Sequence, residues 1–259
     1  MILVLDVGNT QILLGVYSGK RLVADCRLST ERQRTADEYG LKITAFLAEN
    51  SLVKEQIKAV VLSSVVPPVT ASFIEMSRGY FKCDPLVVGP GIRTGLPIRY
   101  ENPREVGADR VVNAVAAVEL YGPPVIIVDF GTATTLCAVN KEGEYLGGII
   151  VPGIGISAEA LFQYAAKLPR VELEVPPRVI GKNTVTSIQS GLVFGYTDLV
   201  DGLIRRMTRE MGNRPKVVAT GGFCRLIAEE TEMIAEVNPV LSLEGLRIIY
   251  ELNNGGRED

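Results

Sequence analysis

Two short stretches of the chain place an aspartate, a glycine and hydroxyl side chains at the end of an apolar run. The first is Asp6-Val7-Gly8-Asn9-Thr10, after Ile2–Leu5, and the second is Asp129-Phe130-Gly131-Thr132, after Val125–Val128. Unbroken apolar runs are typical of strands buried on both faces, so each aspartate is expected at a strand end. Carboxylates there can organise Mg²⁺, and backbone N–H groups with Asn and Thr side chains can bind phosphate oxygens.

The pattern occurs twice in the chain, and this repetition indicates more than one copy would. A single such turn is as readily explained by a tight hairpin with a local Asx hydrogen bond. Two copies predict a duplicated architecture with facing turns that hold a metal–nucleotide polyphosphate, one wall from Asp6 to Thr10 and the other from Gly131 and Thr132. A third segment, Val217–Gly222, joins a short strand to paired glycines, which would suit close approach of a nucleotide's base or sugar.

A further acidic residue, Asp109, is the candidate proton acceptor. The chain contains no histidine, which excludes Ser-His-Asp triads, Cys-His pairs and histidine general bases. Phosphoryl transfer needs alignment, charge neutralisation and a group that receives the proton of the acceptor hydroxyl. Gly107 is expected to separate two helical pieces, so that Asp109 and Arg110 lie in a first helical turn. The alternative is a capped helix start with an exposed ion pair.

Composition limits the classes of partner. The net charge is −3 and the sequence pI is about 5.3, which gives no indication of a nucleic-acid or anionic-membrane partner. No signal peptide or membrane span is evident, so a cytoplasmic protein is expected. The four cysteines are widely scattered, and we interpret them as reduced, buried thiols rather than zinc ligands or a redox pair.

The order of apolar patterns predicts an α/β protein of two domains, 1–115 and 116–259. Strands that alternate with helices after an antiparallel opening indicate mixed sheets with helices packed on them. Predicted helices include one from Thr35 to Asn50 with a Thr35–Glu38 capping box, and one from about Thr70 to Phe81. Thr184 is predicted to cap a long helix, and Ser242 is predicted to cap the last helix.

Together these segments resemble those of the superfamily that contains acetate and sugar kinases, actin and heat-shock chaperone ATPases. The resemblance narrows to type III pantothenate kinase on four motifs: Asp6–Thr10, Gly107–Arg110, Asp129–Thr135 and Gly147–Gly153. It extends over nearly the whole chain. It implies two duplicated ribonuclease H-like (actin-like ATPase) domains and a homodimer.

The resemblance also implies an activity, which is the ATP-dependent phosphorylation of pantothenate at its primary hydroxyl, the first step of coenzyme A synthesis. Mg²⁺ would accompany ATP, a monovalent cation (K⁺ or NH4⁺) would bind Asp129, and Asp109 would accept the proton. The implied ATP-binding residues are Asp6, Val7, Gly8, Asn9, Thr10, Gln11, Ile12, Leu13 and Thr132. The implied pantothenate-binding residues are Tyr100, Gly107, Ala108, Asp109, Arg110 and Thr184.

Two other functions stay open at this point. A phosphatase or sugar kinase on the same scaffold would act without pantothenate, and the Gly107–Arg110 segment argues against it. A nucleotide-binding regulator would bind ATP and form no product, and the presence of Asp6, Asp109 and Asp129 argues against that.

Overall fold

The computed structural model describes residues 1–255, whose contacts divide the chain into two compact units. The first unit contains 1–96, 101–116 and 240–255, and the second contains 97–100 and 117–239. The predicted domains, 1–115 and 116–259, are unbroken stretches. The structure instead groups 240–255 with the start of the chain, because a C-terminal helix packs on the first sheet. Residues 256–259 of the predicted second domain lie outside the described part of the chain.

The first unit is built on a five-stranded mixed sheet of order β3-β2-β1-β4-β5. Strands β1 and β2 pair antiparallel, as do β2 and β3, whereas β1–β4 and β4–β5 are parallel. The strands are β1 (Ile2–Val7), β2 (Gln11–Ser18), β3 (Arg21–Ser29), β4 (Ala59–Ser64) and β5 (Leu86–Val87). The helices are α1 (Ala36–Glu49), α2 (Pro67–Met76), α3 (Ala108–Tyr121) and α7 (Leu241–Asn254), and the boundary between the units falls within α3.

The second unit repeats this arrangement with a sheet of order β10-β9-β6-β7-β8. Antiparallel pairs join β6–β7 and β7–β8, and parallel pairs join β6–β9 and β9–β10. The strands are β6 (Val125–Phe130), β7 (Ala133–Val139), β8 (Tyr145–Pro152), β9 (Lys216–Gly221) and β10 (Glu236–Val237). The helices are α4 (Ile154–Tyr164), α5 (Thr184–Met211) and α6 (Cys224–Ala228). The predicted duplicated α/β architecture of mixed sheets is therefore confirmed.

The strands that carry the two aspartates are buried on both faces, as their apolar runs predict. On β1, Leu3, Leu5 and Val7 pack in a core with α1 and α2, and Val4 on the opposite face is also fully buried. On β6, Ile126, Val128 and Phe130 face a core shared with α4, α5 and α6. Both aspartates follow these runs, so the cores fix where the carboxylates leave the sheets.

Local capping signals are partly confirmed. Thr35 caps α1, and the capping box with Glu38 is present. The helix predicted from about Thr70 begins earlier, at Pro67, and is followed by a single π-helical turn, Ser77–Phe81. Proline is favoured in a first helical turn because its missing N–H needs no partner there.

The cysteines and the helices bear on the expectations of reduced thiols and of no membrane span. All four cysteines are free thiols, with Cys137 and Cys224 buried and Cys26 and Cys83 half-buried. None of the helices within residues 1–255 combines the length and the apolar character that crossing a membrane requires.

Candidate active site

The first turn, between β1 and β2, has a backbone fixed from two sides. The N–H of Gly8 donates to the carbonyl of Gln11 at 3.0 Å. Thr30 binds the same turn twice, through its hydroxyl to the carbonyl of Gly8 at 2.7 Å and through its N–H to the carbonyl of Thr10 at 3.0 Å. Asn9 and Thr10 remain exposed. The turn thus presents polar groups to a ligand from a rigid backbone.

The remaining residues predicted to bind ATP in the first turn differ in what they can offer. The side chains of Val7 and Ile12 are buried in the core, so only their backbone groups could meet a nucleotide. Gln11 is exposed and Leu13 is half-buried. Gly8 does not have a positive φ, so backbone freedom is not the reason for a glycine at this position. A Cβ there would approach the carbonyl oxygen of Gln11 to 3.1 Å, which makes tight space the reason for glycine.

Asp6 leaves the end of β1 in a partly buried position with three polar neighbours in its own unit. Burial raises its pKa from the ordinary value of 3.8 to about 6, against a hydrogen bond from Ser242 that lowers it. The nearby negative charge of Asp109 raises the pKa further, and Ser63 lowers it. Thus two carboxylates predicted to act in the same reaction lie close enough to influence each other, and burial is the larger effect on Asp6.

Asp109 lies in the first turn of α3, where the sequence places it. Its Oδ1 accepts a hydrogen bond from the N–H of Arg110 at 2.8 Å, which suits an anion at a helix N-terminus. A Cβ on Gly107 would overlap that oxygen, so the glycine gives the carboxylate its space. Asp109 is partly accessible, whereas Arg110 is buried. The alternative, in which Asp109 and Arg110 form an exposed ion pair, is therefore wrong, because Arg110 is buried.

The second turn, between β6 and β7, is held by the chain that follows β8. The N–H of Gly153 donates to the carbonyl of Thr132 at 3.1 Å, and a Cβ on Gly153 would overlap the carbonyl oxygens of Gly131 and Thr132. Thr132 is exposed and Gly131 is partly accessible. The motif Gly147–Gly153 and the second turn therefore form one structure.

Asp129 lies beside the glycine segment that ends β9. Asp129 pairs with Thr220 in the parallel register of β6 and β9. A Cβ on Gly221 would lie 2.5 Å from Oδ1 of Asp129, and one on Gly131 would lie 3.6 Å from it. The second turn and the third predicted segment thus meet at this carboxylate.

Tyr100 and Thr184, both predicted to bind substrate, lie on different elements of the second unit. The segment of Tyr100 runs beside β8, where the N–H of Arg99 donates to the carbonyl of Tyr145 at 2.8 Å. The Tyr100 ring covers Gly147, where a Cβ would come within 3.3 Å of it. Thr184 is the exposed first residue of α5, and it lines a pocket of about 650 Å³ with Lys182 and Ser187.

Two predicted caps are wrong. The residue that caps α5 is Asn183, whose Oδ1 accepts the N–H of Thr186 at 2.9 Å. Ser242 is the second residue of α7, and its hydroxyl binds Asp6 rather than its own helix. A serine near a helix start is compatible with either role from sequence alone.

Ser63 and Ser242 are polar neighbours of Asp6 that lie outside the sequence motifs of the site. Ser63 could have been found, because it stands at the end of the parallel strand β4 in register with Asp6, and the ends of neighbouring parallel strands meet. For Ser242 the sequence carries no comparable signal, since it lies 236 positions after Asp6.

Comparison with known structures identifies the fold. A protein of Campylobacter jejuni described as a Baf family transcriptional activator superposes with a TM-score of 0.62 at 17% identity, covering 98% of this chain and 100% of that one. A protein of Porphyromonas gingivalis described as an N-acetylglucosamine kinase gives 0.52 at 14% identity, covering 98% and 100%. A ROK hexokinase of Thermus thermophilus gives 0.50 at 13% identity, covering 98% and 99%. At these identities the likeness concerns the fold alone, which is the predicted actin-like ATPase and sugar kinase fold.

A comparison with sequence families goes further than the fold. The family described as type III pantothenate kinase matches residues 2–206, which is most of the chain and includes both aspartate turns. This family consists of kinases, enzymes that transfer a phosphoryl group from ATP to a small-molecule acceptor. The chain therefore belongs to the type III pantothenate kinase family.

Proposed function

We propose that this protein transfers the γ-phosphoryl group of ATP to the primary hydroxyl of pantothenate, forming 4'-phosphopantothenate in the first step of coenzyme A synthesis. The observation that carries the proposal is the family match over residues 2–206. That range contains every residue that we assign below to ATP, to the monovalent cation, to pantothenate or to proton transfer. Transfer of this kind depends on positioning and on neutralising charge more than on covalent chemistry.

We assign MgATP to both aspartate turns, from Asp6 to Leu13 and at Gly131 and Thr132. The exposed Asn9, Thr10 and Thr132 offer polar side chains to phosphate oxygens. The donor set also fits Mg²⁺, which prefers oxygen ligands and is held through one or two carboxylates together with substrate phosphates. When bound, the ion would neutralise charge on the phosphates.

Asp109 is the proposed proton acceptor for the pantothenate hydroxyl. Its carboxylate is partly accessible and is held at the start of α3 by the N–H of Arg110. A positioned carboxylate can take the hydroxyl proton as the oxygen attacks the γ-phosphorus. The chain contains no histidine that could act as the base instead. The charge of Asp109 also raises the pKa of Asp6.

Asp129 is the proposed ligand of a monovalent cation, K⁺ or NH4⁺. Its carboxylate is partly accessible and offers oxygen, the ligand that hard cations take. The glycine at 221 keeps one side of the carboxylate clear, since a Cβ there would lie 2.5 Å from Oδ1. The residues present are therefore compatible with such an ion.

We assign pantothenate to Tyr100, to Gly107–Arg110 and to Thr184. Pantothenate combines a carboxylate with several polar groups, and the hydroxyls of Tyr100 and Thr184 can donate hydrogen bonds to them. Arg110 adds a cation of the type that recognises carboxylates. Gly107 and Ala108 are partly accessible and can contribute backbone groups.

Two expectations about the protein in the cell belong to the same proposal. A homodimer is supported by apolar side chains left exposed on the second unit, among them Ile150 at 62%, Tyr164 at 88% and Ile180 at 81%. Exposed apolar side chains can be covered where two copies of a chain associate. Sedimentation of the purified protein tests the dimer. Cell fractionation tests the cytoplasmic location.

A single assay tests the activity and separates it from its alternatives. Purified protein is incubated with MgATP and either pantothenate or a hexose, with K⁺ or with Na⁺ at equal ionic strength. Phosphopantothenate and phosphorylated sugar are followed by mass spectrometry. Product that requires both pantothenate and K⁺ supports the proposal. Phosphorylated sugar without phosphopantothenate would favour a sugar kinase, and nucleotide binding without product would favour a regulator.

Variants then test the assigned roles. Asp109→Asn should lower kcat by about 10²–10⁴-fold, as expected when a general base is lost, with little change in MgATP binding. Asp129→Asn should remove the difference between K⁺ and Na⁺. Unimpaired turnover in Asp109→Asn would exclude Asp109 as the proton acceptor. Equal rates of the wild type in both salts, or a difference between K⁺ and Na⁺ that persists in Asp129→Asn, would exclude the cation role of Asp129.

A further inference from the structure

The carboxylate of Asp6 lies on the face of the first sheet that α7 covers. Side chains alternate along a strand, so Asp6 faces the same way as Val4. A Cβ on Gly15, in register with Val4, would meet Val4 Cγ2 at 3.5 Å and Cδ1 of Leu243 in α7 at 2.8 Å. The start of α7 is thus packed directly against the strands that end at Asp6.

A second close approach fixes α7 against α3, the helix that begins with Asp109. A Cβ on Gly245 would overlap the backbone carbonyl of Val112 in α3, so the two helices touch through backbone. Ser242 lies three residues before Gly245, which places it about one helical turn away. Therefore α7 is tied both to the strand of Asp6 and to the helix of Asp109.

Within this contact, Ser242 is buried at 6% exposure and its hydroxyl donates a hydrogen bond to the Asp6 carboxylate. Ser63 lies on the other side, in register with Asp6 and fully buried. The Ser63 hydroxyl also lowers the Asp6 pKa, by less than Ser242 does, but it makes no hydrogen bond of normal geometry among residues 1–255. Ser242 is therefore the donor that holds the carboxylate from the α7 side.

Capping of α7 does not account for this serine. The N-cap of α7 is Val240, which makes no side-chain capping bond, and Ser242 is already within the helix. The neighbouring charge of Asp109 repels the Asp6 carboxylate. A carboxylate that can rotate away from a repelling charge needs a donor to keep one orientation, and hydrogen bonds to charged groups are the stronger ones.

We propose that Ser242 is a positioning residue for the phosphoryl transfer, which holds the carboxylate of Asp6 in the orientation that binds MgATP. The proposal rests on the role of Asp6 in the proposed function. It makes α7 part of the active site, although the family match ends at residue 206 and α7 begins at Leu241.

The test compares Ser242→Ala with Ser242→Thr, which retains the hydroxyl, and with Ser77→Ala as a matched control. Ser77 is fully buried in the same unit, and its hydroxyl donates within its own helical turn, to the carbonyl of Phe73 at 2.7 Å. Three quantities are measured for each protein: the Kd of MgATP by calorimetry, the separate KM values for MgATP and pantothenate, and the Tm.

Ser242→Ala should weaken MgATP binding about tenfold, as expected for a lost hydrogen bond to a charged group. Its KM for pantothenate should stay unchanged. Ser242→Thr should recover most of the binding, and Ser77→Ala should lower the Tm without changing the Kd of MgATP. A Ser242→Ala protein that binds MgATP like wild type, whatever its Tm, would overturn the proposal.

The two proposals fail in different ways. If the wild type forms phosphopantothenate while Ser242→Ala binds MgATP normally, only the role of Ser242 is refuted. If the wild type binds MgATP and forms no phosphopantothenate, the substrate assignment is refuted. In that case a tenfold loss of binding in Ser242→Ala still establishes the positioning role.

Discussion

Replacing Asp6 by asparagine should stabilise the ligand-free protein at neutral and alkaline pH. Burial, with a contribution from the charge of Asp109, raises the pKa of Asp6 from 3.8 to about 6 in the folded protein. Between these two values the unfolded chain has lost a proton that the folded protein still holds. Ionising Asp6 therefore disfavours the folded state, and this penalty is absent below about pH 4, grows as the pH rises to 6 and is constant above it.

The size of the effect follows from the same pKa. A change of one in pKa corresponds to about 1.4 kcal/mol, so a rise from 3.8 to about 6 gives a penalty of about 3 kcal/mol at pH 8. Asparagine carries no charge at any of these pH values and keeps an oxygen that can accept the Ser242 hydrogen bond. Asp6→Asn should thus gain about 3 kcal/mol in unfolding free energy at pH 8 and almost nothing at pH 4.

Urea unfolding of wild type and Asp6→Asn, without Mg²⁺ or nucleotide, measures this difference between pH 4 and pH 8. Circular dichroism is the suitable signal, because the chain contains no tryptophan. Asp198→Asn is the matched control, since it removes one carboxylate from an exposed position on α5 and should change stability little at any pH. A stability difference for Asp6→Asn that is independent of pH, or a loss of stability at pH 8, would refute the reasoning.

Three other variants give separate predictions. Gly147→Ala should raise the KM for pantothenate and leave that for MgATP unchanged, because a Cβ would press on the Tyr100 ring. In a Tyr100→Ala background it should have no further effect on this KM, although the backbone φ of +134° still disfavours alanine there. Gly245→Ala should lower the unfolding free energy by about 1–3 kcal/mol, a typical result of overpacking, because the Val112 carbonyl is backbone and cannot move aside as a flexible side chain can. Thr35→Ala should lower it by about 1 kcal/mol through loss of the α1 cap. Urea denaturation measures the last two, and wild-type stability in either variant would contradict the contact concerned.

The parts of the fold that the sequence predicted depend on neighbours along the chain. Apolar runs placed β1 and β6 with an aspartate near each end, and the Thr35–Glu38 pair marked the start of α1. These signals are local, because burial on both faces and a capping box are each encoded within a few residues. The repetition of the aspartate turn extended the prediction to a duplicated architecture, and the structure gives the two sheets the same strand order.

Tertiary structure decided which distant residues meet these local elements. Nothing within a few residues of Ser242 distinguishes a helix cap from a donor to Asp6, and the choice was made by the packing of α7 on β1 and α3. The same packing joined 240–255 to the first unit. Contacts between residues far apart in the chain depend on the whole set of buried surfaces that fit together, so they leave no pattern in the local sequence.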